Sequence, residues 1–139
     1  MFKNSRAVSI EWGDCDPAGI VFYPRYFAYF DAATANLFDA AGFKKIEMLK
    51  KFNALGFPMV DTRAKFYIPS RYGDEVEIVS TVTEFRRSSF DVHHQLLKDG
   101  KLAVEGFETR VWTIRDPEDS EKIKSAPLPE EIVTAFMNG

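Results

Sequence analysis

Cysteine is nearly absent from this chain: Cys15 stands alone among 139 residues. One thiol excludes an intrachain disulfide framework and a thiolate metal cluster. Histidine is almost as scarce. His93 and His94 adjoin in a stretch of strand character, with no H-E-x-x-H spacing and no cysteine partner, which argues against zinc. No G-x-S-x-G stretch exists to present a serine nucleophile. A basic excess is missing too. The formal net charge is −3, which argues against a nucleic-acid partner. No apolar run is long enough to span a bilayer, and no charged n-region with an apolar core opens the chain. No repeat or low-complexity segment appears. The expectation is a soluble cytoplasmic protein with no membrane partner, one domain over residues 1–139.

Aromatic residues, by contrast, are abundant. They make up 14% of the chain, 13 of them Phe, enough for a thick core, a subunit interface, or both.

The pattern of apolar residues orders the elements. Arg6–Trp12 alternates with period two, with Val8, Ile10 and Trp12 on one face. Asp16-Pro17-Ala18-Gly19 has the residues of a type I turn. Pro24 suits a first helical turn. Behind it Tyr26, Phe27, Phe30, Ala33, Thr34, Leu37, Phe38 and Ala41 follow helical spacing, with Gly42 as C-cap. Lys44–Leu55 reads as a shorter helix. Met59–Ile68, Val76–Phe85, Phe90–Leu97 and Lys101–Ile114 read as strands, the last two joined by the hairpin signal Asp99-Gly100. Residues 115–127 form a polar tail, and Pro129–Met137 a terminal helix. An antiparallel sheet covering one long aromatic helix gives an α+β fold. Val79 and Phe85 fall on the other sheet face, which suggests that subunits pack there.

Chemistry concentrates in the turn Asp14-Cys15-Asp16. An Asp before Pro often only caps backbone N–H groups. A carboxylate beside a helix start also sets a nucleophile or base next to N–H donors and a partial positive charge, the makings of an oxyanion site. Cys15 is discounted, because flanking carboxylates suppress its thiolate. The turn lacks the later ligands of a calcium loop.

The block Glu11-x-Gly13-Asp14-Cys15-Asp16-Pro17-Ala18-Gly19-Ile20-Val21, then Tyr23-Pro24-x-Tyr26 and Asp31-Ala32-Ala33, resembles the 4-hydroxybenzoyl-CoA thioesterase family of hot-dog-fold proteins. The likeness continues through Gly56-x-Pro58 and Arg86-Arg87-x-Ser89-Phe90. It implies a curved five-stranded antiparallel sheet wrapped around a long central helix, and a homo-oligomer, a dimer or dimer of dimers, with active sites at the dimer interface. It implies hydrolysis of an aromatic acyl-CoA without metal or cofactor. Asp16 would be the catalytic carboxylate, as nucleophile or general base, and the Tyr23 N–H the donor to the thioester oxygen. Asp31 would border the acyl pocket, and Arg86 and Arg87 would meet the CoA nucleotide.

Two departures bear on substrate. Ser88 stands where the family's reference enzyme has lysine; Lys122 and Lys124 are candidate replacements for that charge. Phe57 stands where it has threonine, so less polar acyl groups, such as benzoyl or phenylacetyl, are expected. The alternatives are a broad short-chain acyl-CoA or acyl-carrier-protein thioesterase, and a non-catalytic acyl-CoA-binding module.

Overall fold

The structure is a computed structural model describing residues 1–139. Strand β1 (Lys3–Ser9) leads through a single 3-10 turn at Trp12–Asp14 and an irregular loop into helix α1 (Pro24–Ala40). After α2 (Lys45–Lys51) come β2 (Met59–Phe66), β3 (Glu75–Phe85), β4 (Ser89–Lys98) and β5 (Lys101–Val111). These five strands form one antiparallel sheet in the order β1-β3-β4-β5-β2. Two short strands, β6 (Thr113–Arg115) and β7 (Ile123–Ser125), pair with each other, and α3 (Glu130–Met137) closes the chain. No helix is long and apolar enough to cross a membrane.

Helix α1 starts at Pro24, whose missing N–H costs nothing in the first turn. It stops in a Schellman arrangement. Phe43 N–H reaches Phe38 O at 2.9 Å and Gly42 N–H reaches Asp39 O at 3.0 Å. Gly42 takes φ +100, a conformation that a Cβ would strain.

The inner sheet face and α1 enclose two apolar clusters. One gathers Leu37, Phe38, Phe90, Trp112, Ile132 and Phe136; the other Tyr26, Phe30, Ala33, Ile78, Leu96 and Val104. Each fully buried side chain of this kind contributes about 1.5–3 kcal/mol. Between the clusters runs a layer of buried polar side chains: Thr34 of α1, Ser80 of β3, His94 of β4, and Glu108 and Arg110 of β5. Facing His94 across the ladder is Gly106. A Cβ there would lie 2.5 Å from the Phe30 ring. The missing side chain lets that ring stack on His94, centroids 4.9 Å apart.

Three expectations need correction. Trp12 does not continue β1. It sits in the 3-10 turn, 76% exposed and edge-on to Tyr72. Phe85 is not on the outer face. A register shift between Val82 and Glu84 adds one residue to β3, and such a bulge inverts the alternation beyond it. The Phe85 ring therefore packs inward on Phe90 and Phe136, at 6.0 and 5.7 Å. The tail is not all loop. β5 leaves its ladder at Trp112, whose N–H donates to Ser88 O, and β6 then pairs with β7.

Candidate active site

Asp16 lies on a narrow reversal of the chain. Cys15 and Val21 form an antiparallel bridge, and Asp16 N–H donates to Ile20 O at 2.9 Å. Gly19 N–H closes the turn on Asp16 O at 2.9 Å, with Gly19 at φ +81. The Asp16 side chain does cap the turn, since Oδ1 accepts the Ala18 N–H at 2.8 Å. That engages one oxygen. Oδ2 has no hydrogen bond or ion pair within the chain, and it belongs to a half-buried carboxylate lining a depression of about 390 Å³ with Trp12, Pro17 and Tyr72. One oxygen held and one free is a carboxylate oriented but still available for chemistry.

The same reversal delivers Tyr23 to the start of α1. Phe22 N–H is tied to Asp14 O at 2.8 Å, and Arg25 N–H to Phe22 O at 2.8 Å. Pro24 has no N–H. The Tyr23 N–H donates to no acceptor in the chain. It is an unpaired donor at the positive end of a 17-residue helix, where developing negative charge is stabilised. Tyr23 also lines an apolar groove of about 210 Å³ with Ile20, Val21, Tyr26 and Phe66.

The neighbouring reactive-looking residues are used structurally. Asp14 Oδ2 accepts the Glu11 N–H at 3.0 Å, and its Oδ1 lies 3.9 Å from Arg25 Nε. Cys15 packs against the cluster around Ile10 and Tyr26. The largest hollow, about 530 Å³, lies at the far end of α1 between Asn36, Asp39 and Lys44–Glu47 and carries no such grouping.

Asp31 lies eight residues beyond Tyr23, on the same helical face as Phe27, so about 12 Å along the axis separates it from the helix start. Its carboxylate is 67% exposed and accepts a bond from Arg110 Nη2 at 2.8 Å. Phe57 is elsewhere: the ring is 4% exposed and packed on Phe38 and Phe90, at 4.8 and 5.7 Å. It belongs to the core: its carbonyl accepts from Arg110 Nη1 at 3.3 Å, and Lys45 Nζ and the Arg110 guanidinium carbon lie 5.3 and 5.5 Å from the ring centroid. A ring buried in the core walls no pocket of this chain, so a preference for less polar acyl groups does not follow from Phe57.

The arginine pair divides. Arg86 is committed, with Nη1 2.9 Å from Glu84, Nη2 2.6 Å from Asp91 and Nε donating to Ser89 at 2.8 Å. The bonds from Asp91 raise the Arg86 pKa and those from Arg86 lower that of Asp91, as expected of a tight pair. Arg87 is exposed and has no ion pair, and Ser88 turns beside it. The tail passes close by, Leu128 N–H donating to Arg87 O at 2.8 Å. Lys124 lies on β7 just before this segment, and Lys122 sits 3.9 Å from Asp119.

Sequence reasoning left Glu108 and Arg110 unremarked and read His94 as an ordinary sheet histidine. Arg110 Nε donates to Glu108 Oε1 at 2.8 Å, and Thr34 Oγ1 donates to the same oxygen at 2.6 Å. His94 Nε2 lies 3.1 Å from Glu108 Oε2 and 3.1 Å from Thr34 Oγ1, and Nδ1 is 2.7 Å from Ser80 Oγ. Burial pushes the Glu108 carboxyl upward, but the bonds from His94 and Arg110 outweigh it and leave the pKa below its ordinary value. Burial likewise lowers Arg110, while Glu108 and Asp31 more than restore its charge. The signal in the sequence was faint: alternate charged residues, Glu108 and Arg110, in an otherwise apolar face of a long strand.

The chain matches the family model of the thioesterase-like superfamily over residues 10–136. It is 32% identical to 4-hydroxybenzoyl-CoA thioesterase of Pseudomonas sp. (strain CBS-3), over 89% of this chain and 90% of that protein. The chain belongs to the thioesterase-like superfamily. Solved thioesterases share its shape. A variant of 4-hydroxybenzoyl-CoA thioesterase complexed with 4-hydroxybenzoyl-CoA superposes with TM-score 0.89 at 29% identity, covering 98% of this chain and 99% of that one. A gentisyl-coenzyme A thioesterase superposes with TM-score 0.83 at 31% identity, covering 97% and 100%. The resemblance drawn from the Asp16 turn and the hot-dog fold it implied are both borne out, and thioester hydrolysis is the activity these relatives share.

Proposed function

We propose that this thioesterase-superfamily chain, acting as one hot-dog domain over residues 1–139, hydrolyses an aromatic acyl-CoA to the free acid and CoA. The observation that carries the reading is that one tight reversal bears both a carboxylate with a free oxygen, at Asp16, and an unpaired N–H, at Tyr23. The thioester oxygen accepts the Tyr23 N–H, on the axis of α1, where the helix field favours the charge of the tetrahedral intermediate. Asp16 acts on the carbonyl carbon, directly or by activating water. The C–S bond breaks, CoA leaves with a proton, and water supplies the oxygen of the acid. Asp31 borders the acyl group, and Arg87 meets the CoA phosphates with its uncommitted guanidinium, with Ser88 beside it. Arg86 shapes the turn that presents Arg87. The relatives named above act on hydroxylated benzoyl thioesters, which supports an aromatic acyl group. A free CoA thioester goes with a cytoplasmic location. The site is completed in a homo-oligomer, since Trp12, Phe22, Tyr23, Phe66, Tyr67 and Tyr72 are all exposed on the single chain.

The test is thiol release from 4-hydroxybenzoyl-, benzoyl-, phenylacetyl-, acetyl-, hexanoyl- and palmitoyl-CoA, wild type beside Asp16→Asn. Aromatic thioesters should be cleaved fastest, and the substitution should lower kcat by about a thousandfold, the scale lost with a nucleophile or base. A variant as active as wild type would return Asp16 to a turn residue.

A further inference from the structure

Every polar atom of Asp14 is engaged, and its partners lie in three segments. The Asp14 N–H donates to Glu11 O at 3.0 Å, and Oδ2 accepts the Glu11 N–H at 3.0 Å, which closes the 3-10 turn. The carbonyl accepts the Phe22 N–H at 2.8 Å, across the reversal. Oδ1 lies 3.9 Å from Arg25 Nε, in the first turn of α1. Tyr29 is four residues beyond Arg25 and so shares its helical face. Its phenol oxygen is buried near the same carboxylate, and burial and, after it, Asp14 raise its pKa.

This is more than a turn needs. A capping oxygen alone could come from serine or asparagine. The Asp14 carboxylate is 16% exposed and faces a cation and a phenol on the side of α1 as well. The bonds inside the reversal, the Cys15–Val21 bridge and Asp16 N–H to Ile20 O, fix its internal shape. They do not fix its angle to the helix. Asp14 supplies that contact, and it does so where the two arms meet. Asp16 follows it by two residues on one arm, and Tyr23 follows its partner Phe22 by one residue on the other. For thioester cleavage the N–H must reach the carbonyl oxygen while the carboxylate acts on the carbonyl carbon. A misplacement of about 1 Å costs such a site about a hundredfold in rate.

We propose that Asp14 is a positioning residue of the candidate active site: its carbonyl and carboxylate hold the Asp16 arm against the first turns of α1, so that Tyr23 N–H and Asp16 meet one thioester carbonyl. The inference rests on the thioesterase reading. Asp14 itself touches neither the thioester nor water attacking it.

The test compares Asp14→Ala, which removes the side-chain contacts, with Asp14→Asn, which keeps an acceptor for the Glu11 N–H. One readout is kcat and KM with 4-hydroxybenzoyl-CoA, per folded molecule. The other is the carbonyl stretch of the same thioester bound to Asp16→Asn protein, where a hydrogen bond from Tyr23 lowers the frequency. Asp14→Ala should lower kcat by about 10- to 100-fold at unchanged KM. In the Asp16→Asn background it should move the carbonyl band back toward that of free thioester. Asp14→Asn should fall between Asp14→Ala and wild type in both readouts. Arg25→Ala, at an exposed position, keeps the test open if Asp14→Ala does not fold, and should shift the band in the same direction. Wild-type kcat per folded molecule with an unmoved band would overturn the proposal, since a purely structural role lowers only the amount of folded protein. A band unmoved in Arg25→Ala, where that variant stands in, would overturn it equally. Absence of hydrolysis by wild type, with the band shifting as stated, would overturn the thioesterase reading alone.

Discussion

At the residue scale, the site depends on what each polar group is left free to do. Asp14 and Asp16 are two residues apart with the same side chain, yet Asp14 has both oxygens directed at local partners and Asp16 has one to spare. The arginine pair shows the same contrast. Arg86 is neutralised by Glu84 and Asp91, whereas Arg87 carries its charge into solvent. Arg87→Ala should therefore raise KM for an acyl-CoA about tenfold or more, the cost of losing a charge-assisted contact to phosphate. The same variant should be unchanged with the matching acyl-pantetheine, which has no nucleotide. Arg86→Ala should act mainly on the β3–β4 turn, lowering Tm. An equal rise in KM for both variants at unchanged Tm would show that the two share the phosphate.

At the scale of elements, α1 is joined to the sheet by two different bonds. Apolar contact above and below is non-directional, and ring-on-ring packing such as Phe30 in the gap over Gly106 sets the depth of the helix. The Thr34–Glu108 bond in the polar layer fixes its register as well. The Glu108 carboxyl has a folded pKa below its ordinary value of 4.5. Its ionised form thus contributes stability that is fully present above about pH 4.5 and is lost as pH falls through the lower, folded value. Glu108→Gln should destabilise the protein at pH 7 by about 3–5 kcal/mol, since the buried Arg110 guanidinium loses its counter-charge. The gap between wild type and variant in denaturant titrations should narrow as the pH drops below 4.5. A gap constant from pH 7 to pH 3 would show that folding leaves the Glu108 carboxyl unshifted, and a gap that widens toward pH 4.5 would show that burial raises it.

At the scale of the whole molecule, the sheet has a bare side and a bare edge. Strand β2 pairs only with β5, and Val60 at its bulge is exposed, as are Phe66 and Tyr67 where the strand ends. Trp12 and Tyr72 lie edge-to-face beside the Asp16 depression. Unpaired edges and aromatic patches of this kind are covered in stable proteins. Light scattering should give a mass at least twice the 15.9 kDa of one chain. Charge placed in the patch by Phe66→Lys should lower both the mass and the activity. A monomer with full activity would mean that a single chain suffices.

Local chemistry was legible in the sequence wherever it is decided by neighbours along the chain. Pro24 and Gly42 mark the ends of α1, Asp16-Pro17-Ala18-Gly19 makes its turn, and the period-two runs make the central strands, because caps, turns and alternation depend on a few consecutive dihedrals. That Asp16 and the Tyr23 start of α1 lie on one short reversal was legible for the same reason. What only the tertiary structure decided involves partners far apart in sequence. The β3 bulge turned Phe85 inward, the core took Phe57 out of the candidate pocket, and Asp91 claimed Arg86. The buried layer joined Asp31 to Arg110, 79 residues away. A carboxylate read along the chain shows its charge; which cation it faces, and whether water still reaches it, is settled when sheet and helix close on each other.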